Sequence, residues 1–123
     1  MSGRKDIIQP FQTIVDGYMA TDVISTPTNV QYIDRISVLI DFTGTPVGSF
    51  FIETSLNYKP PLTDAVDNAT WVALDLSPAP VAAGVADSIY IDITQTSAPW
   101  VRVKYEATSS DGYCQAWISG KMS

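Results

Sequence analysis

Hydrophobic and polar residues alternate with a period of two in several stretches of this chain. The clearest stretch is 100–108, in which Val101, Val103 and Tyr105 alternate with Trp100 and with charged side chains. Such alternation is typical of a strand that buries one face and exposes the other. We predict this strand and five others, at residues 36–42, 49–56, 71–76, 88–93 and 113–118.

Turn-forming residues separate the predicted strands. Two glycines and a proline within residues 43–48, and the sequence Thr-Ser-Ser-Asp-Gly at residues 108–112, predict two hairpins. Residues 57–70 are rich in proline, aspartate and asparagine, which predicts a long surface loop because proline cannot donate a backbone hydrogen bond. Residues 77–84 predict a rigid proline-rich connection and not a helix.

The N-terminal third has a weaker pattern. Residues 11–15 and 18–24 could form two strands joined by a hairpin turn at Asp16-Gly17, which is a favoured turn sequence. Residues 1–10 carry too few apolar side chains to anchor them, so we predict an extended N-terminal arm.

The chain has the size and composition of one folded domain. It contains 123 residues, of which 46% are hydrophobic and 16% are charged. No amphipathic helical pattern interrupts the predicted strands. We therefore predict an all-β fold, an antiparallel two-sheet sandwich or jelly roll of about seven or eight short strands, formed by a single domain at residues 11–123.

The acidic balance of the chain argues against nucleic acid as a partner. The formal net charge is -6 and the sequence pI is about 4.2, with no run of basic residues to offset the acidic excess. No apolar run is long enough to span a bilayer, and the doublet Arg4-Lys5 is not followed by the apolar stretch of a secretory signal. We expect no membrane partner.

Few residues in the chain could support catalysis. It has no histidine and a single cysteine, so histidine-based catalytic sites and zinc sites of paired thiols are unavailable. Alternation places that cysteine, Cys114, on one face with Ala116 and Ile118, where we expect a buried small side chain. Isolated glycines form no phosphate-binding loop. We predict that the protein is not an enzyme and that it binds no cofactor and no metal.

A pair of carboxylates in the long loop leaves one catalytic alternative open. Asp64 and Asp67, beside Asn68, have the chemistry of a glycosidase pair or of calcium ligands. The same residue types are ordinary loop formers, because their side chains bond to nearby backbone groups. The trio also lacks the regular spacing of an EF-hand loop, so the loop-forming role is favoured.

Aromatic residues supply the candidate surface contacts. Trp100 shares the polar face of its strand with Arg102, which predicts that Trp100 stacks on Arg102 in a cation–π contact or contacts a partner. The alternative is a large aromatic side chain that caps the end of the sandwich. Trp71 and Trp117 are predicted to belong to the core. The candidate interface residues are therefore Trp100, Arg102 and Tyr58.

A second candidate contact lies near the N-terminus. The only basic doublet of this acidic chain precedes several apolar residues there, a combination that suits a partner-binding segment. The candidate residues are Arg4, Lys5, Ile7, Ile8 and Phe11. The alternative is an unstructured terminus.

Five sequence segments in the second half of the chain follow one another in a recognisable order. They are Phe-Thr-Gly-Thr-Pro-Val-Gly-Ser-Phe at 42–50, Trp-Val-Ala-Leu-Asp-Leu-Ser-Pro-Ala-Pro-Val-Ala-Ala-Gly at 71–84, Ile-Asp-Ile at 91–93, Trp-Val-Arg-Val-Lys-Tyr at 100–105 and Ala-Trp-Ile-Ser-Gly-Lys at 116–121. With these segments, residues 36–121 resemble a type of small virion protein of tailed bacteriophages, in which a strand, a proline-rich link, two strands and a turn follow in this order. The turn at residues 108–114 departs from that type, in which a Ser-Gly-Thr-Gly turn is more common.

The resemblance implies a structural protein of the phage particle, assembled in the host cytoplasm and present in many copies. We expect a capsid decoration subunit that binds the shell, bridges neighbouring major capsid proteins and forms a homo-oligomer, for which a trimer suits the threefold positions of an icosahedral lattice. The alternative is a tail, neck or fibre component that contacts host-surface glycans through Trp100, Tyr58 and the loop at 57–70.

Overall fold

The computed structural model describes residues 7–31, 33, 35–59, 69–76, 79–93 and 98–121. This part of the chain contains ten strands and no helix. The strands are β1 (Ile7–Tyr18), β2 (Val23–Ile24), β3 (Thr28–Asn29), β4 (Arg35–Phe42), β5 (Val47–Ser55), β6 (Val72–Ala73), β7 (Val81–Ala83), β8 (Asp87–Ile93), β9 (Trp100–Ser109) and β10 (Tyr113–Lys121).

The strands form two antiparallel sheets. The first sheet has the order β1-β10-β4-β8. In the second sheet β9 and β5 pair at the centre, β2 and β3 pair with successive parts of β9, and β6 and β7 pair with β5. The predicted all-β, two-sheet architecture is confirmed.

The order of the strands is that of a jelly roll. When β2 with β3, and β6 with β7, are each counted as one interrupted strand, eight strands remain. Their orders are 1-8-3-6 in the first sheet and 2-7-4-5 in the second, so the chain repeatedly crosses from one sheet to the other. This connectivity is the double Greek key of a jelly roll, one of the two arrangements expected from the sequence.

The core lies between the inward faces of the two sheets. Phe50 at its centre contacts Phe42 and Tyr105, with ring centroids 5.5 and 4.8 Å apart. Each such side chain contributes roughly 1.5–3 kcal/mol by leaving water. Cys114 is buried here, as predicted. The buried positions on β4, β9 and β10 follow the predicted alternation and include Ile36, Val38, Ile40, Val101, Val103, Ala116 and Ile118, and Ile52 of β5 is buried with them.

Both predicted hairpins are wrong. Residues 43–46 connect β4 of the first sheet to β5 of the second, and residues 110–112 connect β9 of the second sheet to β10 of the first. The two connections are corners that pack together, because Thr43 N–H donates to Tyr113 O over 2.9 Å and Thr45 N–H donates to Asp111 O over 3.0 Å. A Cβ on Gly112 would overlap the Thr43 carbonyl oxygen, so glycine is needed for this approach.

The predicted turn at Asp16-Gly17 is also wrong. β1 continues through it to Tyr18, with Gly17 opposite Cys114. A Cβ on Gly17 would lie 2.8 Å from Cys114 Sγ, so this glycine permits close packing of β1 on β10 and does not reverse the chain. The turn follows Tyr18 instead, and the predicted strand at 18–24 is reduced to Val23–Ile24.

The predicted arm at residues 1–10 overlaps the first strand. β1 begins at Ile7, whose backbone lies opposite Lys121, because the antiparallel pairing with β10 continues this far. A register shift between Ile8 and Phe11 accommodates Pro10, which cannot donate to the ladder. Residues 1–6 lie outside the described residues.

Two other segments differ from the predicted boundaries. Of the predicted strand at 71–76, only Val72–Ala73 pairs with β5, while Leu74 and Leu76 pack against the core. The predicted connection at 77–84 contains the short strand β7, which pairs with the start of β5.

Candidate functional site

The outward face of the β5–β9 pair carries the residues that the sequence proposed as an interface. Val101 and Val103 point into the core, so Trp100 and Arg102 lie on the opposite face of β9. The register places Trp100 opposite Ser55 and Arg102 opposite Glu53 on β5.

Tyr58, Trp71, Trp100 and Arg102 form one group, here called the aromatic cluster. The Tyr58 ring lies 5.5 Å from that of Trp71 and 4.9 Å from that of Trp100, the second pair meeting edge to face at 73°. Arg102 Cζ lies 4.2 Å from the centroid of the Trp71 ring, within the range of a cation–π contact. The structure therefore brings together the three residues Trp100, Arg102 and Tyr58, and adds a fourth.

The long loop is tied where it joins the cluster. Asn57 Oδ1 accepts a hydrogen bond from the Thr70 backbone N–H over 2.9 Å and another from the Ser55 hydroxyl over 3.1 Å. Tyr58 follows Asn57 and Trp71 follows Thr70 in the chain. The hydrogen bonds therefore hold both aromatic residues on the same side of the sheet. The described ends of the predicted loop at 57–70 thus position half of the aromatic cluster.

Trp71 and Trp117 are not core residues, contrary to the prediction. Trp71 is half-buried and belongs to no strand. Its ring makes the cation–π contact with Arg102 that was expected for Trp100. Trp117 is half-buried on the outward face of the other sheet, because Ala116 and Ile118 take the inward positions of β10. The alternation that placed Ala116 and Ile118 on one face already required Trp117 to lie on the other.

Glu53 completes the site and was missed in the sequence. Its Oε1 accepts a hydrogen bond from Arg102 Nε over 2.7 Å in an ion pair whose side chains are only 12% and 14% exposed. Charge-assisted bonds of this kind fix the orientation of a guanidinium. Arg102 is therefore held between a carboxylate and an aromatic ring, which restricts the orientation of its guanidinium.

The described residues contain no group of three or more His, Cys, Asp or Glu side chains that could hold a metal ion. Burial raises the pKa of the Cys114 thiol to about 11, which keeps it protonated near neutral pH.

Asp64, Asp67 and Asn68 lie outside the described residues, as do Arg4 and Lys5. Ile7, Ile8 and Phe11 lie on β1, an edge strand of the first sheet, and their partner-binding role stays a prediction. No helix in the part of the chain that the structure describes is long and apolar enough to cross a membrane.

No known protein family model matches this chain, and no curated protein matches it in sequence. Among solved structures, it is similar to a chain in the structure of the infectious bursal disease virus Gx strain, with a TM-score of 0.49 and 12% identity. It is also similar to tripeptidyl peptidase 2, with a TM-score of 0.47 and 12% identity. The two matches cover 98% and 90% of this chain but only 33% and 10% of those chains. Neither likeness assigns a family or a function.

Proposed function

We propose that the protein is a non-enzymatic structural subunit of a tailed-phage particle, and that it decorates the capsid by binding the shell and bridging neighbouring capsid proteins. The observation that carries the proposal is the aromatic cluster on the outward face of β5 and β9. Two further features support it: the resemblance of residues 36–121 to small phage virion proteins, and a jelly-roll order of strands, an architecture that viral capsid and lectin domains use.

The aromatic cluster has the chemistry of a protein-binding hot spot. Trp, Tyr and Arg are the residue types that contribute most to binding energy at protein interfaces. Here the contacts among Tyr58, Trp71, Trp100 and Arg102 restrict the side chains before any partner arrives. A partner that covers the cluster therefore loses little conformational entropy in ordering it.

Decoration would stabilise the shell by mass action. A subunit that binds only the assembled shell favours that state by an amount set by its concentration and affinity. When each copy bridges neighbouring capsid proteins, the shell opens only if those contacts also break. The expected consequence is a shell that withstands higher temperature when the subunit is bound.

The test is co-sedimentation of the purified protein with shells that lack it, followed by heating of the loaded shells. We expect stoichiometric binding, delayed heat disruption, and at least a tenfold loss of affinity in Trp100→Ala and Tyr58→Ala variants. Val85→Ala is the matched control, because Val85 is 62% exposed and lies outside the cluster. Absence of shell binding by the folded protein would refute decoration.

The N-terminal segment is a second proposed contact, through Arg4, Lys5, Ile7, Ile8 and Phe11. Its test is deletion of residues 1–6, which leaves β1 intact from Ile7 onward. Weakened shell binding would support the contact, whereas unchanged binding would exclude Arg4 and Lys5 from the interface. A trimer assembled on the shell, at the threefold positions of the lattice, remains the expectation from lattice symmetry.

A tail, neck or fibre component that binds host-surface glycans is the second candidate, favoured by the same aromatic rings. Exposed Trp and Tyr faces also stack against sugar rings. This candidate would be favoured if the protein does not bind shells but binds a glycan array, and if the Trp100→Ala variant loses the glycan binding. Turnover of a polysaccharide that is abolished by Asp64 or Asp67 substitution would instead show an enzyme.

A further inference from the structure

We propose that two copies of this chain associate face to face through the outward side of the β1-β10-β4-β8 sheet. The centre of this face is a row of apolar side chains, formed by Trp117, Leu39 and Tyr90 and here called the apolar row. Trp117 lies opposite Leu39, which lies opposite Tyr90, so the row crosses three neighbouring strands. The three side chains line an open depression of about 470 Å³, and Tyr90 is 64% exposed.

Polar side chains flank the apolar row on both sides and bond to one another. The Ser37 hydroxyl donates to Asp92 Oδ1 over 2.8 Å on one side, and the Ser88 hydroxyl donates to Asp41 on the other. Each of these carboxylates thus accepts one hydrogen bond within the sheet, which lowers the cost of placing a second copy beside it. The flanking rows therefore form a polar rim around an apolar centre, the usual anatomy of a protein interface.

The two ends of the face carry opposite charges. Arg35 and Lys121 lie directly opposite each other at one end, both exposed, and neither is in an ion pair with any described residue. Asp16 and Asp41 line a second depression at the other end, here called the acidic end. Like charges opposite each other across two strands are destabilising. An anionic surface placed over Arg35 and Lys121 would relieve that repulsion.

This charge pattern complements itself under one twofold rotation. When a twofold axis runs along the apolar row between two facing copies, the apolar row of one copy lies on the apolar row of the other. The same rotation brings Arg35 and Lys121 of each copy onto the acidic end of the second chain. An axis along the strands would instead bring equal charges together. Along β4, Arg35 lies four residues from Leu39, and Asp41 lies two residues from Leu39 on the other side. The mismatch of two residues, about 7 Å, is within the reach of Arg and Lys side chains.

The size of the face predicts a reversible dimer. Four strands of about seven residues cover roughly 450 Å² per copy, so about 900 Å² is buried in total, less than the roughly 1,200–2,000 Å² of stable interfaces. We expect dissociation in the micromolar range and weakening by salt, because the charged ends are exposed. This association does not rest on the proposed function, since the aromatic cluster lies on the other sheet and stays uncovered.

The experiment uses two charge-reversed proteins, studied by sedimentation equilibrium between 5 and 500 µM, concentrations on the order of the expected dissociation constant. The first carries Arg35→Glu and Lys121→Glu, so that both ends of the face are acidic. The second carries Asp16→Lys and Asp41→Lys, so that both ends of the face are basic. We expect the unmodified protein to dimerise, each variant alone to be monomeric, and an equimolar mixture of the two to recover the mass of a dimer.

Lys59→Glu is the control, because it changes the net charge by the same amount as Lys121→Glu outside this face. We expect it to dimerise like the unmodified protein, while Lys121→Glu alone weakens the dimer at least fivefold. Leu39→Lys should also abolish the dimer. The proposal would be overturned if the unmodified protein stays monomeric at the highest concentration. It would also be overturned if all variants form the same trimer, or if the mixture of the two charge-reversed proteins stays monomeric.

Discussion

Arg102 and Glu53 face each other directly across β9 and β5, and Arg102 Nε donates a hydrogen bond to Glu53 Oε1 over 2.7 Å. Because both side chains are largely removed from water, loss of the guanidinium leaves a buried carboxylate without its partner. We expect Arg102→Ala to lower the free energy of unfolding by about 2–3 kcal/mol, measured by urea denaturation.

The neighbouring ion pair on β9 provides the control. Lys104 Nζ lies 3.1 Å from Glu106 Oε2, but Glu106 is 49% exposed. Exposed pairs of this kind contribute little, so Lys104→Ala should change stability by less than about 0.5 kcal/mol. Equal losses in the two variants would contradict the role assigned to burial.

Tyr105 carries a buried polar atom that costs stability. Its hydroxyl oxygen is inaccessible and has no hydrogen-bond partner in the described part of the chain. Tyr105→Phe removes the hydroxyl and keeps the ring that contacts Phe50. We expect the free energy of unfolding to rise by about 1 kcal/mol, against almost no change for Tyr90→Phe on the surface. A loss of stability in Tyr105→Phe would show that the hydroxyl has a favourable partner.

Gly48 is required by close packing within the second sheet. A Cβ at this position would overlap the Tyr105 phenol and the Glu106 carbonyl oxygen. We expect Gly48→Ala to cost about 3 kcal/mol in thermal or urea unfolding. Gly84→Ala is the comparison, since its Cβ would meet only Val47 Cγ2 at 3.8 Å and the cost of about 1 kcal/mol comes from its φ of +85°. Equal costs would contradict the steric explanation.

The Cys114 thiol predicts a loss of stability at alkaline pH. Burial raises its pKa from 9.0 to about 11 in the folded chain, so the unfolded chain releases this proton first. The stabilisation is complete below pH 9 and falls as the pH rises towards 11, by up to about 2–3 kcal/mol. Burial also raises the pKa of Tyr105, which adds a loss of the same sign at higher pH.

Urea unfolding of the protein and of Cys114→Ala, repeated between pH 7 and 11, measures this effect. The variant should show a smaller decline between pH 9 and 11. The thiol in the folded protein should also react with alkylating reagents only as fast as the chain opens. Rapid alkylation at pH 8 without unfolding would refute the assignment.

The sequence predicted individual strands well, because alternation is a local property. β4, β5, β8, β9 and β10 all lie where the alternation placed them. Which strands pair is not local, since the same Gly-containing turns suit both a hairpin and a corner between sheets. The corners at 43–46 and 110–112 depend on each other through the Thr43–Tyr113 hydrogen bond, which no nearby sequence reveals.

The candidate site was predicted in part for the same reason. Trp100 and Arg102 share one strand, so their common face follows from the alternation. Glu53 and Trp71 reach Arg102 only through the pairing of β5 with β9 and through the closed ends of a loop. The cation–π contact with Trp71 therefore needed the folded chain.

The pairing of β1 with β10 joins the first strand to the last, and β10 also separates β1 from β4. During synthesis β1 and β4 therefore emerge from the ribosome long before the strand that connects them, and a sheet rich in such distant pairings closes late and slowly. Trp117 of the apolar row lies on this same last strand. A nascent chain that lacks β10 can form neither the closed sheet nor the complete face, so the association proposed above requires copies in which β10 has already been synthesised.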